Sequence, residues 1–219
     1  MATSYQYTRA FASRQGESQD MSAIFERGDN LVVVLADGGG GIRGGGAASR
    51  GLVGVVESAV KNTAFPLERI EAWADLFKTA DAGLAANRSG ETTGVVLVLG
   101  PRRLVGISTG NSEAWVVTPK GIDNLTVSQR TRDRLGSSTA FSTTFDRPAP
   151  TDPIVIASDG LFKFAAMDVI AGRVLGDASL HIDAAAERLV ELVRFKPGKV
   201  AEDIAVVLIR PATTEVKSG

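Results

Sequence analysis

Short apolar runs along the chain predict the strands of a buried sheet structure. Residues 31–36 form a continuous run of aliphatic and β-branched side chains, which is typical of a strand covered on both faces. Similar runs predict five more strands, at residues 94–99, 104–108, 114–118, 154–157 and 204–210. The sequence Gly100-Pro101-Arg102-Arg103 favours a hairpin turn between the first two of these five.

Apolar positions spaced by three and four residues predict the helices. They are expected at residues 47–61, 67–87, 165–175 and 181–195. Residues 124–144 are polar and rich in Ser, Thr and Arg, so we expect the least regular structure there. Residues 211–219 resemble a frayed tail.

The order of these elements indicates the fold class. The helices come in pairs between groups of strands, and the strict alternation of strand and helix that marks a parallel sheet is missing. The pattern therefore predicts an α+β fold with antiparallel sheets and helices on their outer faces. No linker or internal repeat interrupts it, so we expect a single domain over residues 1–219.

Composition and charge exclude several kinds of function. The 219 residues are 44% hydrophobic, enough for a sizeable core, and carry a net charge of −1, which gives no electrostatic reason to expect nucleic acid as a partner. The chain has no cysteine, which excludes disulfides, thiolate zinc sites and a cysteine nucleophile. Its one histidine is His181, expected at a surface or helix-capping position. No apolar run is long enough for a membrane span, so we expect a soluble cytoplasmic protein without a membrane partner.

With no cysteine and one histidine in the chain, carboxylates at strand ends are the main candidates for metal binding or acid–base catalysis. Asp37 and Asp159 each follow a predicted strand and precede a glycine, Asp20 precedes a short apolar stretch, and Glu202 and Asp203 open the last strand. Carboxylates that converge at a sheet rim repel one another unless a cation neutralises them, and Mg²⁺ and Mn²⁺ prefer oxygen ligands. Taken singly, however, an Asp-Gly pair after a strand is usually a turn. The glycine cluster at residues 38–46 lacks the Gly-Lys-Ser/Thr ending of a nucleotide-binding loop.

Several short motifs occur in an order that resembles one known family. They are Ser18-Gln19-Asp20, Ala36-Asp37-Gly38-Gly39-Gly40-Gly41 with Gly45 and Ala48-Ser49, Glu91-Thr92-Thr93-Gly94, Gly110-Asn111-Ser112-Glu113-Ala114-Trp115, Ile156-Ala157-Ser158-Asp159-Gly160-Leu161 and Glu202-Asp203-Ile204-Ala205-Val206-Val207. Together these motifs, which span residues 18 to 207, resemble the PPM family of type 2C metal-dependent Ser/Thr phosphatases.

The resemblance implies a fold, a metal site and a reaction. The fold would be a four-layer α-β-β-α sandwich, and the reaction would be hydrolysis of phosphoserine or phosphothreonine in a protein substrate by metal-activated water. Two ions, Mn²⁺ or Mg²⁺, would be held by the family's ligand set, which corresponds here to Asp20, Asp37, the Gly38 carbonyl, Asp159 and either Glu202 or Asp203. Glu202 matches by position and Asp203 by side-chain length. Asp37 and Asp159 would also be the catalytic carboxylates, with Arg14 binding phosphate.

The chain departs from the family pattern at four points. Ile42 stands where the family usually has a histidine that serves as general acid, and Asn111 replaces the aspartate of a third, weaker metal site. About forty residues separate Ser112 from the strand predicted at residues 154–157, too few for the family's usual flap subdomain. The phosphate-binding arginine is out of register, with Gln15 at its place and Arg14 one residue earlier.

These departures keep two further functions open. A catalytically weak or inactive member of the fold could serve as a regulatory or binding module. An unrelated metal-dependent hydrolase of small phosphoesters is the third reading.

Overall fold

The protein is described here by a computed structural model that covers residues 5–39, 44–176, 182–195 and 198–212. It has ten strands, here numbered along the chain: β1 Tyr5–Ala12, β2 Met21–Arg27, β3 Asn30–Ala36, β4 Gly94–Leu99, β5 Arg103–Thr109, β6 Glu113–Thr118, β7 Gly121–Asn124, β8 Thr143–Pro148, β9 Ile154–Ala157 and β10 Ile204–Pro211. The α-helices are α1 Gly45–Lys61, α2 Ile70–Ala86, α3 Asp159–Phe162, α4 Met167–Gly176 and α5 Ala185–Val190, and 3₁₀ turns at Ile182–Ala184 and Glu191–Val193 flank the last of them. None of the helices in these ranges is long and apolar enough to cross a membrane.

The strands form two antiparallel sheets of five. One sheet has the order β2-β3-β4-β5-β8 and the other the order β1-β10-β9-β6-β7. The central strands alternate side chains between their two faces, as a pleated strand must, and both faces are apolar. In β3, for example, Leu31, Val33 and Leu35 point into the space between the sheets, while Val32 and Val34 point the other way.

The apolar side chains fill three layers between four layers of backbone. Between the sheets, the inner residues of β3 and β4 meet those of β6, β9 and β10. Outside the first sheet, α1 and α2 cover the other face with Leu52, Val56, Trp73 and Phe77, all fully buried. Outside the second sheet, α3, α4 and α5 do the same. The expected α+β fold, a four-layer sandwich of two antiparallel sheets flanked by helices, is confirmed.

The individual elements agree less completely with the sequence patterns. All six predicted strands are present within a residue or two of their expected ends, but β1, β2, β7 and β8 were not predicted. The helix expected over 181–195 is wrong as a continuous element, because the described part consists of the six-residue α5 between two 3₁₀ turns. Pro211, assigned to the tail, still pairs with Tyr5 at the end of β10. His181 and residues 213–219 lie outside the described residues.

Candidate metal centre

Strand register brings Asp20 and Asp37 together. Met21 opens β2 and pairs with Ala36, the last residue of β3. Asp20 and Asp37 are therefore the next residues outward on two neighbouring antiparallel strands, and their carboxyl groups lie against each other. Asp20 is 98% buried, since only 2% of its surface is exposed.

The backbone of Asp37 is held by a pair of threonines at the start of β4. Its N–H donates to Oγ1 of Thr93 over 3.1 Å, and its carbonyl accepts the Thr93 N–H at 2.8 Å and the Thr92 hydroxyl at 2.9 Å. The Thr93 hydroxyl lies 2.7 Å from that of Ser112. The Thr-Thr motif thus fixes where the Asp37 side chain starts.

Close backbone approach explains the glycines after Asp37. A Cβ built on Gly38 would lie 2.5 Å from the carbonyl carbon of Gly45, at the start of α1, and one on Gly45 would lie 2.4 Å from Oε1 of Gln19. The Ser49 hydroxyl donates to the Gln19 carbonyl over 2.6 Å, one residue before Asp20. The residues on both sides of the glycine cluster therefore pack the Asp37 loop onto the Asp20 loop. Residues 40–43 of the cluster, including Ile42, lie outside the described residues.

The two neighbouring carboxyl groups are electrostatically strained without a cation. Burial, and after it the negative charge of Asp37, raise the pKa of Asp20 well above its ordinary value. Burial and the charge of Asp159 raise the pKa of Asp37 to about 6, against smaller opposing effects that include the charge of Arg134. Both pKa values are raised because too little positive charge lies near the two carboxylates to stabilise their ionised forms.

Asp159 and Glu202 lie on the other side of the same site and already have a cationic partner. The ammonium group of Lys163 donates to Oδ2 of Asp159 at 2.7 Å and to Oε2 of Glu202 at 2.9 Å. The side-chain amide of Asn111 donates to the same Asp159 oxygen. Burial alone would lower the pKa of Lys163, but these two carboxylates outweigh it and raise the pKa.

Asp203 anchors the loop between β1 and β2. Its Oδ1 accepts the backbone N–H of Arg14 at 2.8 Å and the Ser13 hydroxyl at 3.2 Å, and its Oδ2 accepts the Gln19 N–H at 2.8 Å. Both carboxylate oxygens are therefore engaged in holding the loop that leads to Asp20. Of the pair, Glu202 is thus the residue whose carboxylate is not engaged with this loop.

The acidic groups line an open cavity of about 650 Å³ whose rim is basic. Arg14, expected to bind phosphate, is exposed at this rim, and Lys163 and the half-buried Arg134 also line the cavity. Arg134 lies in the long turn between β7 and β8, which Asp81 of α2 holds in place. The buried Asp81 carboxylate accepts the N–H groups of Gly136, Ser138 and Ala140 at 2.6, 3.0 and 3.2 Å.

The donor groups fit a hard cation on the Asp20–Asp37 side. Within the described residues, neither carboxylate oxygen of the buried Asp20 makes a hydrogen bond of normal length and angle, although the Ser158 hydroxyl lies near enough to act against the rise of its pKa. A buried charged group in this state is unusual, and a bound cation would stabilise it. The available donors are all oxygens, as Mg²⁺ and Mn²⁺ require. In the described ranges, however, no three acidic or histidine side chains surround one point closely enough to hold an ion by themselves. An ion here would therefore depend on carbonyl groups and water for the rest of its shell.

The acids of this site, but not their partners, were predicted from the sequence. The structure brings Arg14, Asp37, Gly38, Asp159, Glu202 and Asp203 to one cavity, with Asp20 beneath it. Lys163 was missed although its spacing of four residues from Asp159 within one helical turn is a recognisable pairing signal. Arg134 had no such signal, since only the long-range contacts of Asp81 bring it to the site.

Structural comparison places this arrangement among known folds. The serine/threonine phosphatase of S. agalactiae superposes with a TM-score of 0.81 at 20% identity, over 95% of this chain and 100% of that one. Stp1 from Staphylococcus aureus superposes with a TM-score of 0.77 at 17% identity, over 97% and 96% of the two chains. This chain has the fold of bacterial serine/threonine phosphatases.

The phosphatase fold extends over nearly the whole chain. The catalytic domain of the phosphatase PstP, determined in complex with two manganese ions, superposes with a TM-score of 0.76 at 16% identity, over 96% of this chain and 99% of that domain. No protein-family model and no curated protein matches the sequence itself. At such low identity the likeness concerns the fold, and the chemistry has to be argued from this chain's own residues.

Proposed function

We propose that this chain is a metal-dependent phosphatase that hydrolyses phosphoserine and phosphothreonine in proteins, as a single domain over residues 1–219. One observation carries the proposal: the buried, unpartnered Asp20 carboxylate lies against Asp37 beneath a cavity with a basic rim, as far as the described residues go. Buried carboxylates below and cationic side chains above suit a cation on the floor and a phosphate group over it. The fold shared with serine/threonine phosphatases supports this class of substrate.

The residues divide into those that would hold a cation and those that would hold the substrate. Asp20, Asp37 and the Gly38 carbonyl would hold Mn²⁺ or Mg²⁺ on the buried side. When bound, such an ion activates water as a nucleophile and offsets charge on the phosphoryl oxygens. Arg14 and Arg134 at the rim have the planar, multi-donor head groups that suit phosphate oxygens. A phosphocysteine intermediate is excluded because the chain has no cysteine.

The Asp159–Glu202 side would complete the reaction centre. Asp159 is the first residue of α3, and its side chain is 15% exposed, so it faces the cavity from a rigid element. Its negative charge raises the pKa of Asp37, and among the charges near Asp37 it has the largest effect. We therefore assign Asp37 and Asp159 to the two sides of one centre, with Glu202 beyond Asp159.

A specific observation favours a second candidate function. Lys163 and Asn111 donate to Asp159, so this carboxylate is partly neutralised by the protein itself. A site of this kind could bind a phosphorylated segment without turning it over. The chain would then be a regulatory or binding module built on the phosphatase fold.

Hydrolysis of p-nitrophenyl phosphate and of a phosphothreonine peptide, each with Mn²⁺, with Mg²⁺ and with EDTA, tests the two candidates. The enzyme proposal expects turnover of both substrates that EDTA abolishes, loss of turnover in Asp37→Asn, and normal turnover in the control Asp75→Asn, which changes an exposed carboxylate on α2. Phosphopeptide binding without turnover at any metal concentration would instead support the binding module. Cell fractionation with a phosphoprotein survey of a deletion strain tests the accompanying proposal of a cytoplasmic protein that acts in signalling.

A further inference from the structure

The two sides of the cavity differ in how their negative charge is compensated. On one side, the Lys163 ammonium lies within 3 Å of carboxylate oxygens of both Asp159 and Glu202, at 2.7 and 2.9 Å. A single positive group that bridges two carboxylates in this way is in the position that a bridging cation would take. The Asn111 amide N–H adds a further donor to the same Asp159 oxygen, and neither an ammonium nor an N–H group can be a metal ligand. On this side only the buried Oδ1 of Asn111 has no hydrogen-bond partner among the described residues, and it carries no charge.

On the Asp20–Asp37 side, no cationic side chain among the residues described bridges the two carboxylates. The two oxygens of Asp20 are buried without a hydrogen-bond partner there, and the Asp37 carboxylate beside them adds a second negative charge. An unpaired buried carboxylate is costly, so this side of the site requires a cation from solution.

The total charge of the described site also indicates that positive charge is missing. Five carboxylates line the cavity or lie directly beneath it, and three cationic side chains line it: Asp20, Asp37, Asp159, Glu202 and Asp203, against Arg14, Arg134 and Lys163. With all of these groups ionised, two negative charges remain. One divalent cation would neutralise these described groups.

We infer that this site takes one divalent cation, on the Asp20–Asp37 side, and that the Lys163 ammonium replaces a second ion between Asp159 and Glu202. The inference rests on the proposed metal-dependent function and concerns its stoichiometry. It differs from the pair of ions that the family resemblance implies and from the two manganese ions in the complex of PstP. Lys163 is thus a positioning residue, since it acts by fixing Asp159 and Glu202.

Counting bound Mn²⁺ tests the inference without any measurement of activity. Wild-type protein and the variants Lys163→Met and Lys163→Gln are titrated with Mn²⁺ by calorimetry, and their bound Mn²⁺ is examined by electron paramagnetic resonance. Lys78→Met, which removes an exposed lysine of α2, is the matched control. Two variants are used so that one that misfolds, as judged by circular dichroism, does not decide the outcome.

The inference expects one tightly bound Mn²⁺ per chain in the wild type and in Lys78→Met, with the six-line spectrum of an isolated ion. Both Lys163 variants should bind a second Mn²⁺ at least tenfold more tightly than the wild type does, and should show the broadened spectrum of an exchange-coupled pair. Two tight ions in the wild type overturn the inference but leave the proposed phosphatase intact. One ion in all four proteins shows that Lys163 does not exclude the second ion, which also overturns it. No Mn²⁺ binding to the wild type overturns the metal-dependent function itself.

Discussion

Replacing Asp37 by asparagine should stabilise the protein when metal is absent. Burial and the charge of Asp159 raise the pKa of Asp37 to about 6, from the ordinary value of 3.8 that the unfolded chain retains. The ionised carboxylate therefore lowers the stability of the metal-free fold at neutral pH. Asparagine keeps the shape of the side chain and removes the charge. Its amide could also donate to Asp20, whose oxygens have no partner among the described residues.

The size of this effect follows from the pKa shift. A rise from 3.8 to about 6 is roughly two units, and each unit corresponds to about 1.4 kcal/mol. The free energy of unfolding of the metal-free variant should therefore exceed that of the wild type by about 2–3 kcal/mol at pH 7.5. For a chain of this length each kcal/mol shifts the melting temperature by about 2–4 °C, so we expect a rise of about 5–10 °C.

The stability gained by Asp37→Asn should increase with pH. A carboxyl group whose pKa is higher in the folded than in the unfolded state binds protons more tightly when folded. The wild type therefore loses stability through this group as the pH rises from about 4 to about 6, while the variant does not. The advantage of the variant should be fully developed above pH 6.5 and should shrink towards zero as the pH falls to about 4.

Denaturant unfolding in EDTA at several pH values measures this difference, with Asp75→Asn as the control for loss of an exposed carboxylate on α2. Adding Mn²⁺ should then raise the melting temperature of the wild type but not of Asp37→Asn, because a ligand that binds only the folded state stabilises it. The reasoning is refuted if Asp37→Asn in EDTA at pH 7.5 is no more stable than the wild type. It is also refuted if a gain of the same size persists at pH 4.

Three further predictions, which use four substitutions, test the rest of the site. Asp159→Ala should lower metal-dependent turnover of a phosphothreonine peptide by at least about a hundredfold while the circular dichroism spectrum is unchanged, because it removes a charge at the reaction centre and no core packing; turnover near the wild-type level contradicts the assignment. Asp81→Ala should lower the free energy of unfolding by about 2–4 kcal/mol, because three backbone N–H groups lose their acceptor. It should also reduce kcat/KM, because the turn that carries Arg134 is no longer held in place. A normal kcat/KM in spite of the lost stability means that Arg134 does not need this support. Asp203→Ala should lower the free energy of unfolding by about 2–4 kcal/mol even in EDTA, because Asp203 accepts three hydrogen bonds from the β1–β2 loop. Glu202→Ala should not have this effect. Melting curves in EDTA compare the two variants, and equal losses of stability contradict these separate roles.

The strands that the sequence predicted and those it did not differ in one physical respect. The six predicted strands are the six interior strands of the two sheets, and β1, β2, β7 and β8 are the four edges. An interior strand covered on both faces has a continuous apolar run, which can be recognised without any knowledge of its neighbours. β1 mixes buried Ala10 and Ala12 with exposed polar residues, and β7 has no fully buried residue, so their pairing depends on the adjacent strand rather than on composition.

The same contrast applies to the site. Asp20, Asp37, Asp159 and the Glu202–Asp203 pair could be identified because each adjoins a strand, and strand ends meet at the rim of a sheet. What could not be identified was how each acid is used. Whether a carboxylate is unpartnered, holds a loop or binds a lysine depends on contacts between residues far apart in the chain. Asp203 illustrates this, because its partners at residues 13–19 are more than 180 positions away.

Two departures from the phosphatase pattern, Asn111 and Glu202, lie near Asp159 together with Lys163. Asn111, Lys163 and Glu202 come from three separate loops, yet all three meet around Asp159. The Asp20–Asp37 side, by contrast, keeps the supporting contacts of the motif, with Thr92, Thr93 and Ser49 holding the two loops. Asn111 and Glu202 thus lie on the side where a lysine supplies positive charge, as the inferred change in the number of bound cations predicts. On that inference, one half of the site holds a cation from solution, and the charge of the other half is balanced by the protein itself.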